Sequence, residues 1–479
     1  NRIGENLKKY NEYESVDIAG PVTLGADITI DTDATDHGGS ITFASTATIN
    51  GNQSLTMISG AGDIALQGVV GDVTTLSGLS INATDGDDGD IEITDIGDGT
   101  PAAGVTGAVS IGNANTASLT LDGTRYNTDG TTIYEAVAGS GSIKLTGANV
   151  SITTDNDALT FDAGNIVLST AGTTTIGTGG GALQIDGTID GTSSQAENLT
   201  ITTGAGSLTI GGTIGGTNPL TTLSIAGSGA GAIDLAGIGD SDTAGATGTT
   251  TVGNTTTTTL TLSGTIYKTD DSQTYVAKTG QNIDITDAAT FTTTNDAVAF
   301  NTAGVDLING NAGGAHTITV DTGTGAGAVT FGGAIESDGG DDETLTITSG
   351  TGTVTFTGAL GATQELGGLN VNASSGNGII TFTGAIGDTN APQAGVIGTS
   401  NIGNTATTRI DLDGGLYSFD GTTTFETTSG ETVAVGATVT VENTANSLSF
   451  SGGDINLDDG ANLTVSTNGG AITVNGIYG

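Results

Sequence analysis

Carboxylates grouped tightly around glycine are the residues of this chain best placed to do chemistry. They stand as D-G-D-D-G-D at 85–90 (Asp85, Asp87, Asp88, Asp90), as G-D-S-D at 239–242 (Asp240, Asp242) and as D-G-G-D-D-E at 338–343 (Asp338, Asp341, Asp342). Such spacing can converge oxygens on a hard cation such as calcium, which takes about six to eight of them. None of the three follows an EF-hand loop or a G-G-x-G-x-D nonapeptide array. Two expectations therefore stand side by side, weak calcium sites and solvated loops.

Catalysis has little else to draw on. The two histidines, His37 and His316, each lie beside a pair of glycines, which points to turns, and the chain has no cysteine. Thiol chemistry is excluded, and no His-rich metal spacing occurs. Outside the first residues the only cations are Arg125, Lys144, Lys268, Lys278 and Arg409, dispersed along the chain. The sequence is read as non-enzymatic, with no cofactor beyond the calcium candidates.

Aromatic residues recur in pairs eight residues apart: Tyr126 with Tyr134, Tyr267 with Tyr275, and Tyr417 with Phe425, each bracketing a turn sequence. This spacing suits a hairpin-like excursion closed by a cross-strand ring pair. Such pairs either pack structurally or, as surface aromatics, stack on sugars or on a neighbouring filament. A second distinctive stretch is Asn1–Glu14, which holds Arg2, Lys8, Lys9, Tyr10 and Tyr13. It reads as a cap or as a docking segment for an acidic neighbouring subunit.

The chain that must position these residues is unusual in composition. Asp and Glu number 52 against 8 Lys and Arg, a formal net charge of -44. That field repels phosphate backbones and anionic membranes, so neither nucleic acid nor membrane insertion is expected. No apolar run reaches the length of a membrane helix, and the opening N-R-I-G-E-N-L-K-K-Y lacks an apolar leader, so any export signal is expected upstream or already removed. With 83 glycines, 4 prolines and 35% hydrophobic residues, the chain is glycine-rich yet carries enough β-branched residues to fold.

Its organisation is a tandem repeat of about 145 residues. Gly112-Asn113, Gly253-Asn254 and Gly403-Asn404 precede L-D-G-T-R-Y (121–126), L-S-G-T-I-Y (262–267) and L-D-G-G-L-Y (412–417). Upstream, L-T-M at 55–57 matches L-T-I at 199–201 and 345–347, and L-S-I at 79–81 matches L-S-I at 223–225 and L-N-V at 369–371. Downstream, N-D-A-L-T-F at 156–161 matches N-D-A-V-A-F at 295–300. The expected division is an N-terminal segment over 1–37 and copies over 38–178, 179–311 and 312–479.

Within each copy, triplets such as I-T-F, L-T-I and V-T-F alternate apolar and small polar residues with the period of two of a half-buried strand. G-T-G, G-A-G and D-G-T punctuate them as turns. Uneven strand spacing predicts coils of two or three strands with variable corners, six or seven coils per copy, in an all-β parallel β-helix, a right-handed solenoid. Three β-sandwiches in series are the alternative.

G-T-V-T-F-T-G-A-L-G (352–361), G-I-I-T-F-T-G-A-I-G (378–387) and S-L-T-I-G-G-T-I-G (207–215) resemble the strand-repeat segments of large bacterial surface proteins, the filamentous haemagglutinin-like exoproteins and other β-strand-repeat adhesins. The resemblance implies a secreted parallel β-helix acting at the cell surface as a stalk, fibre or matrix component that self-associates end to end. The runner-up is a carbohydrate-binding or carbohydrate-cleaving β-helix module, with surface glycans as partners.

Overall fold

Each short apolar–polar alternation forms a strand of two to six residues, and nearly every strand pairs in parallel with a strand one coil earlier and one coil later. The computed structural model describes residues 15–479 except 35–36, 83–88, 98–102, 195, 227–230, 308–315, 339–342, 373, 389–393 and 445. At the N-terminus it describes only the backbone of Arg2–Ile3 and Leu7–Lys8. No helix occurs among these residues. The chain divides into two compact units, Asn1–Leu235 and Ala236–Gly479, each a parallel β-solenoid, with about 17 turns between them.

In the first unit, Leu159–Asp162, Asn165–Leu168 and Gly172–Gly177 form the three sides of one turn. They pair in parallel with Leu183–Ile185, Ile189–Asp190 and Glu197–Thr202 of the next. Register sets like on like: Leu159 against Leu183, Ile166 against Ile189, Ile176 against Ile201. Burial alternates along each strand, so most inward apolar residues meet apolar neighbours in the adjacent turns, with an occasional buried threonine such as Thr132 between them. A lone coil could not bury this face; stacking does.

The second unit follows the same rule. Val298–Asn301, Gly304–Leu307 and Thr317–Asp321 pair with Val329–Phe331, Ile335–Ser337 and Thr344–Thr348. Three strands per turn is thus the finding where the sequence left two or three open, and parallel pairing throughout displaces the sandwich alternative. Among the described residues, the one antiparallel pair is Asp33–Ala34 with His37–Gly38, with Ala34 opposite His37.

The sequence repeat is not a whole number of turns. In the first unit the ladder from Leu55 passes through Leu79, Val109, Thr132 and Leu159 to reach Leu183 after five turns. Leu199, the repeat equivalent of Leu55, stands two strands further on, in a different sheet. The second unit gives the same offset independently. From Tyr267 five turns lead through Phe291, Val320, Ile347 and Val371 to Ile402, and Tyr417 stands two strands beyond. Equivalent residues therefore move to the next face with each repeat. At five and two-thirds turns a copy holds fewer coils than the six or seven the strand spacing predicts, because several corners consume extra residues.

Corners follow from backbone conformation. Among the described residues, five of the seven non-glycine residues with positive φ are asparagines: Asn82, Asn149, Asn156, Asn295 and Asn372. Asparagine is the side chain that tolerates the left-handed region best, because it hydrogen-bonds locally.

Candidate functional site

The recurring residues can be followed one motif at a time, beginning with the Gly-Asn pairs. Gly112, Gly253 and Gly403 have φ of 83°, 78° and 80°. At each, a Cβ would lie 2.1 Å from the carbonyl oxygen of Glu135, Val276 or Glu426 in the next turn. Only glycine fits both constraints. The asparagine that follows builds the corner: its backbone N–H donates to a threonine hydroxyl three residues on, at 3.0 Å for Asn113 to Thr116, 3.0 Å for Asn254 to Thr257 and 2.9 Å for Asn404 to Thr407. Its side-chain oxygen accepts from the N–H two residues on, at Asn115, Thr256 and Ala406. The motif's chemistry is wholly consumed in making a turn.

The tyrosines come next. Tyr126, Tyr267 and Tyr417 are 0% exposed, and their hydroxyls accept the N–H of Gly123, Gly264 and Gly414 at 2.8, 2.9 and 2.7 Å. Tyr126 donates in turn to the Ile93 carbonyl at 2.7 Å, and Tyr417 to that of Phe382 at 2.9 Å. The phenol reaches out of the core just far enough to satisfy the corner's backbone. Burial pushes the Tyr126 and Tyr417 phenols well above their ordinary pKa.

The second members, Tyr134, Tyr275 and Phe425, are also 0% exposed. The expectation of surface aromatic pairs is thus overturned for all six rings. The physical reason is register: Tyr134 is in the strand Thr132–Glu135 and stacks on Phe161 of the next turn, at 5.4 Å and 21°. Tyr275 stacks on Phe300 and Phe425 on Phe450 in the same way. Nor are the pairs hairpins, since Tyr126 and Tyr134 occupy successive sides of one turn, each paired in parallel.

Among the described residues, the acidic candidates are not brought together in a group of three or more. Asp85, Asp87, Asp88, Asp341 and Asp342 lie outside the described residues. Asp90 and Asp338 are exposed, and the N–H of Asp90 donates to Asp63 at 3.0 Å. Asp240 accepts the N–H groups of Thr243 and Asp242 at 2.6 and 2.8 Å, and these bonds hold its carboxyl below the usual range. Asp242 is exposed beside it. No group of three or more His, Asp or Glu able to hold a metal occurs among the described residues.

At the amino end, Arg2–Ile3 and Leu7–Lys8 continue the ladders, with Arg2 opposite Thr23 and Lys8 opposite Asp31. Lys9, Tyr10 and Tyr13 lie outside the described residues. His316 is half-buried, and its carbonyl accepts the N–H of Thr344 at 2.8 Å.

Two buried carboxylates escaped the sequence reading. Glu197 is 1% exposed and Glu343 0%, and each precedes the same landmark, L-T-I at 199–201 and at 345–347. Burial alone would raise the Glu197 pKa, but hydrogen bonds from Thr192, Ala196 and Ser194 bring it below the ordinary value. Their shared place in the repeat is the signal that could have found them. No protein-family model, curated protein or solved structure matches this chain.

Proposed function

We propose that this chain is a non-enzymatic structural protein of the cell exterior, a stalk or fibre segment of a surface filament, adhesin or matrix that associates end to end. The observation that carries this reading is where the recurring residues go. The Gly-Asn corners, the plugging tyrosines and the stacked rings all serve to hold one turn on the next, and none is left to face a ligand.

The rotation of equivalent positions from face to face fits the same role. A segment whose recurring corners precess around its axis presents no single line of sites to a polymer substrate, which a processive carbohydrate enzyme would need. The exterior instead carries small polar ladders: Asn401 donates to Asn370 at 2.9 Å across successive turns. At the carboxyl end, Ile472, Ile477 and Tyr478 are 46%, 54% and 63% exposed.

Negative-stain electron microscopy of the purified chain, with and without calcium and after deletion of residues 1–20, tests the reading. Long filaments that disappear on deletion are the expected result and would make the amino-terminal segment the connector. Isolated rods under every condition would sink end-to-end association and favour the glycan-binding alternative, for which the open groove of about 410 Å³ beside Asp321, Thr348, Ser375 and Asn377 is the place to look.

A further inference from the structure

Outward carboxylates in this solenoid fall into two kinds. Some serve a corner: Asp95 accepts the N–H groups of Thr124 and Arg125 at 2.9 and 2.8 Å, and Asp190 accepts that of Thr217 at 2.8 Å. Others are set against one another. In the first unit Glu135 lies directly opposite Asp162 of the next turn. Asp186 continues this rank one turn further, since it follows Ile185, the partner of Phe161, and its N–H donates to the Phe161 carbonyl at 3.1 Å. The second unit has a rank of the same kind, with Asp284 opposite Asp306 and Asp306 opposite Glu336.

Each rank places an acidic side chain on three successive turns, about 4.8 Å apart. Like charges directly opposite each other weaken a strand pair. No cation offsets them: the strands that carry the ranks hold neither lysine nor arginine, nor do the flanking strands Val109–Ile111, Leu208–Ile210 and Leu260–Leu262. The ranks end at uncharged residues, Gly112 and Gly211 in the first unit and Thr261 and Gly361 in the second. Lys144 stands on the following side of the turn, opposite Thr120 and Val167, and Lys278 is exposed in the corner before Asn282–Ile285. The polar partners are few. Gln184 donates to Asp186 at 2.8 Å, Asn282 donates to Asp306, and Glu336 accepts the N–H groups of Thr363 and Gln364 at 3.0 and 2.9 Å. Burial raises the Glu135 carboxyl above its ordinary pKa and the Asp162 charge raises it further; burial and the Asp284 charge do the same to Asp306.

We propose that the two carboxylate ranks are a pH-sensitive device that tightens the coil in acid. An ionised carboxylate only accepts hydrogen bonds, whereas a protonated carboxyl also donates one. When one member of a pair takes a proton from solvent, repulsion between adjacent turns gives way to a carboxyl–carboxylate hydrogen bond. The folded chain binds that proton more tightly than the unfolded chain does. Stability therefore rises as pH falls through the raised folded-state values toward the ordinary carboxylate range. The device acts within the coil and does not depend on how copies associate.

The test is urea unfolding of the full chain at neutral pH and at about pH 5, at constant ionic strength and with a chelator present. Asp162→Asn combined with Asp306→Asn removes the central charge of each rank. At neutral pH its midpoint should lie above that of wild type by on the order of a few tenths molar urea, and the difference should shrink in acid. Asp129→Asn combined with Asp459→Asn removes as much charge at exposed positions outside the ranks and should keep the wild-type dependence on pH. A central-charge variant that kept the full wild-type dependence, or a control that lost as much of it, would overturn the proposal and assign the acid response to net charge alone.

Discussion

The interior of residues 1–235 is largely aliphatic, whereas that of residues 236–479 is built on rings. In the first unit one ladder runs Ile152, Ile176, Ile201, Ile225 in register through successive turns. In the second unit the corresponding kind of ladder runs Tyr275, Phe300, Phe331, Phe356, Phe382. Its ring centroids are 5.3, 4.9, 5.6 and 4.8 Å apart, with interplanar angles of 17°, 9°, 6° and 6°. The stack ends where Tyr417 meets Phe382 edge-on at 78°.

The spacing explains why both fillings work. Parallel strands repeat at about 4.8 Å, which is a comfortable separation for a stacked ring and for a branched aliphatic side chain alike. Alternation and corner geometry define the coil; the choice of apolar side chain then sets how strongly neighbouring turns hold each other. Because each turn touches only its neighbours, damage should stay local.

The largest expected effect tests that contrast directly. Phe331→Ala, in the middle of the ring ladder, should cost about 3–5 kcal/mol, against about 0.5–1.5 kcal/mol for Ile201→Val in the aliphatic ladder. Amide exchange should show the loss in the strands holding Phe300 and Phe356 first. Equal costs would erase the distinction between the two interiors.

Tyr417→Phe comes second. Removing the hydroxyl leaves the Gly414 N–H and the Phe382 carbonyl without their side-chain partner, an expected loss of about 1–3 kcal/mol by denaturant unfolding.

A matched pair then sharpens the comparison with opposite signs. The Tyr134 hydroxyl in the first unit is buried without a partner, while Tyr275 in the second donates to Gln273 at 2.9 Å. Tyr134→Phe should be neutral or stabilising, and Tyr275→Phe should destabilise by about 1 kcal/mol. The third copy already has Phe425 at this place.

The smallest effect is electrostatic. Asp284 and Asp306 lie directly opposite each other on the outer face of the second unit. Burial raises both carboxyl pKa values, and at Asp306 the Asp284 charge raises it further. A folded-state pKa above the unfolded one means that the folded chain binds the proton more tightly. The pair therefore weakens the fold once pH rises through the folded-state values, and the penalty fades as pH falls toward the ordinary carboxylate range. Asp306→Asn should stabilise by roughly 0.2–1 kcal/mol at neutral pH, with the gain shrinking in acid; a gain that persisted in acid would rule out repulsion as its cause.

Much of the solenoid was legible in the sequence because its signals are local. A period of two, glycine at positive φ and asparagine at corners act over a few residues, and Gly112-Asn113 through Thr116 forms the same turn as its two later equivalents. The tyrosine pairs were misplaced because eight residues at a D-G turn look like a hairpin when only near neighbours are considered. Their true partners, Phe161 and Phe300, lie some two dozen residues on, one turn of the coil away. Glu197 was hidden for the same reason, since its state depends on the donors that Thr192, Ser194 and Ala196 bring to a buried carboxylate.

The sequence by itself determined that the chain is a β protein of tandem character, that its strands are half-buried and where its corners fall. Only the tertiary structure decided that three strands make a turn, that a repeat covers five turns and two strands, and that the aromatics point inward. Those outcomes rest on register between strands one full turn apart, and register is set by the sum of many stacked contacts along the ladders, which no short stretch of sequence contains.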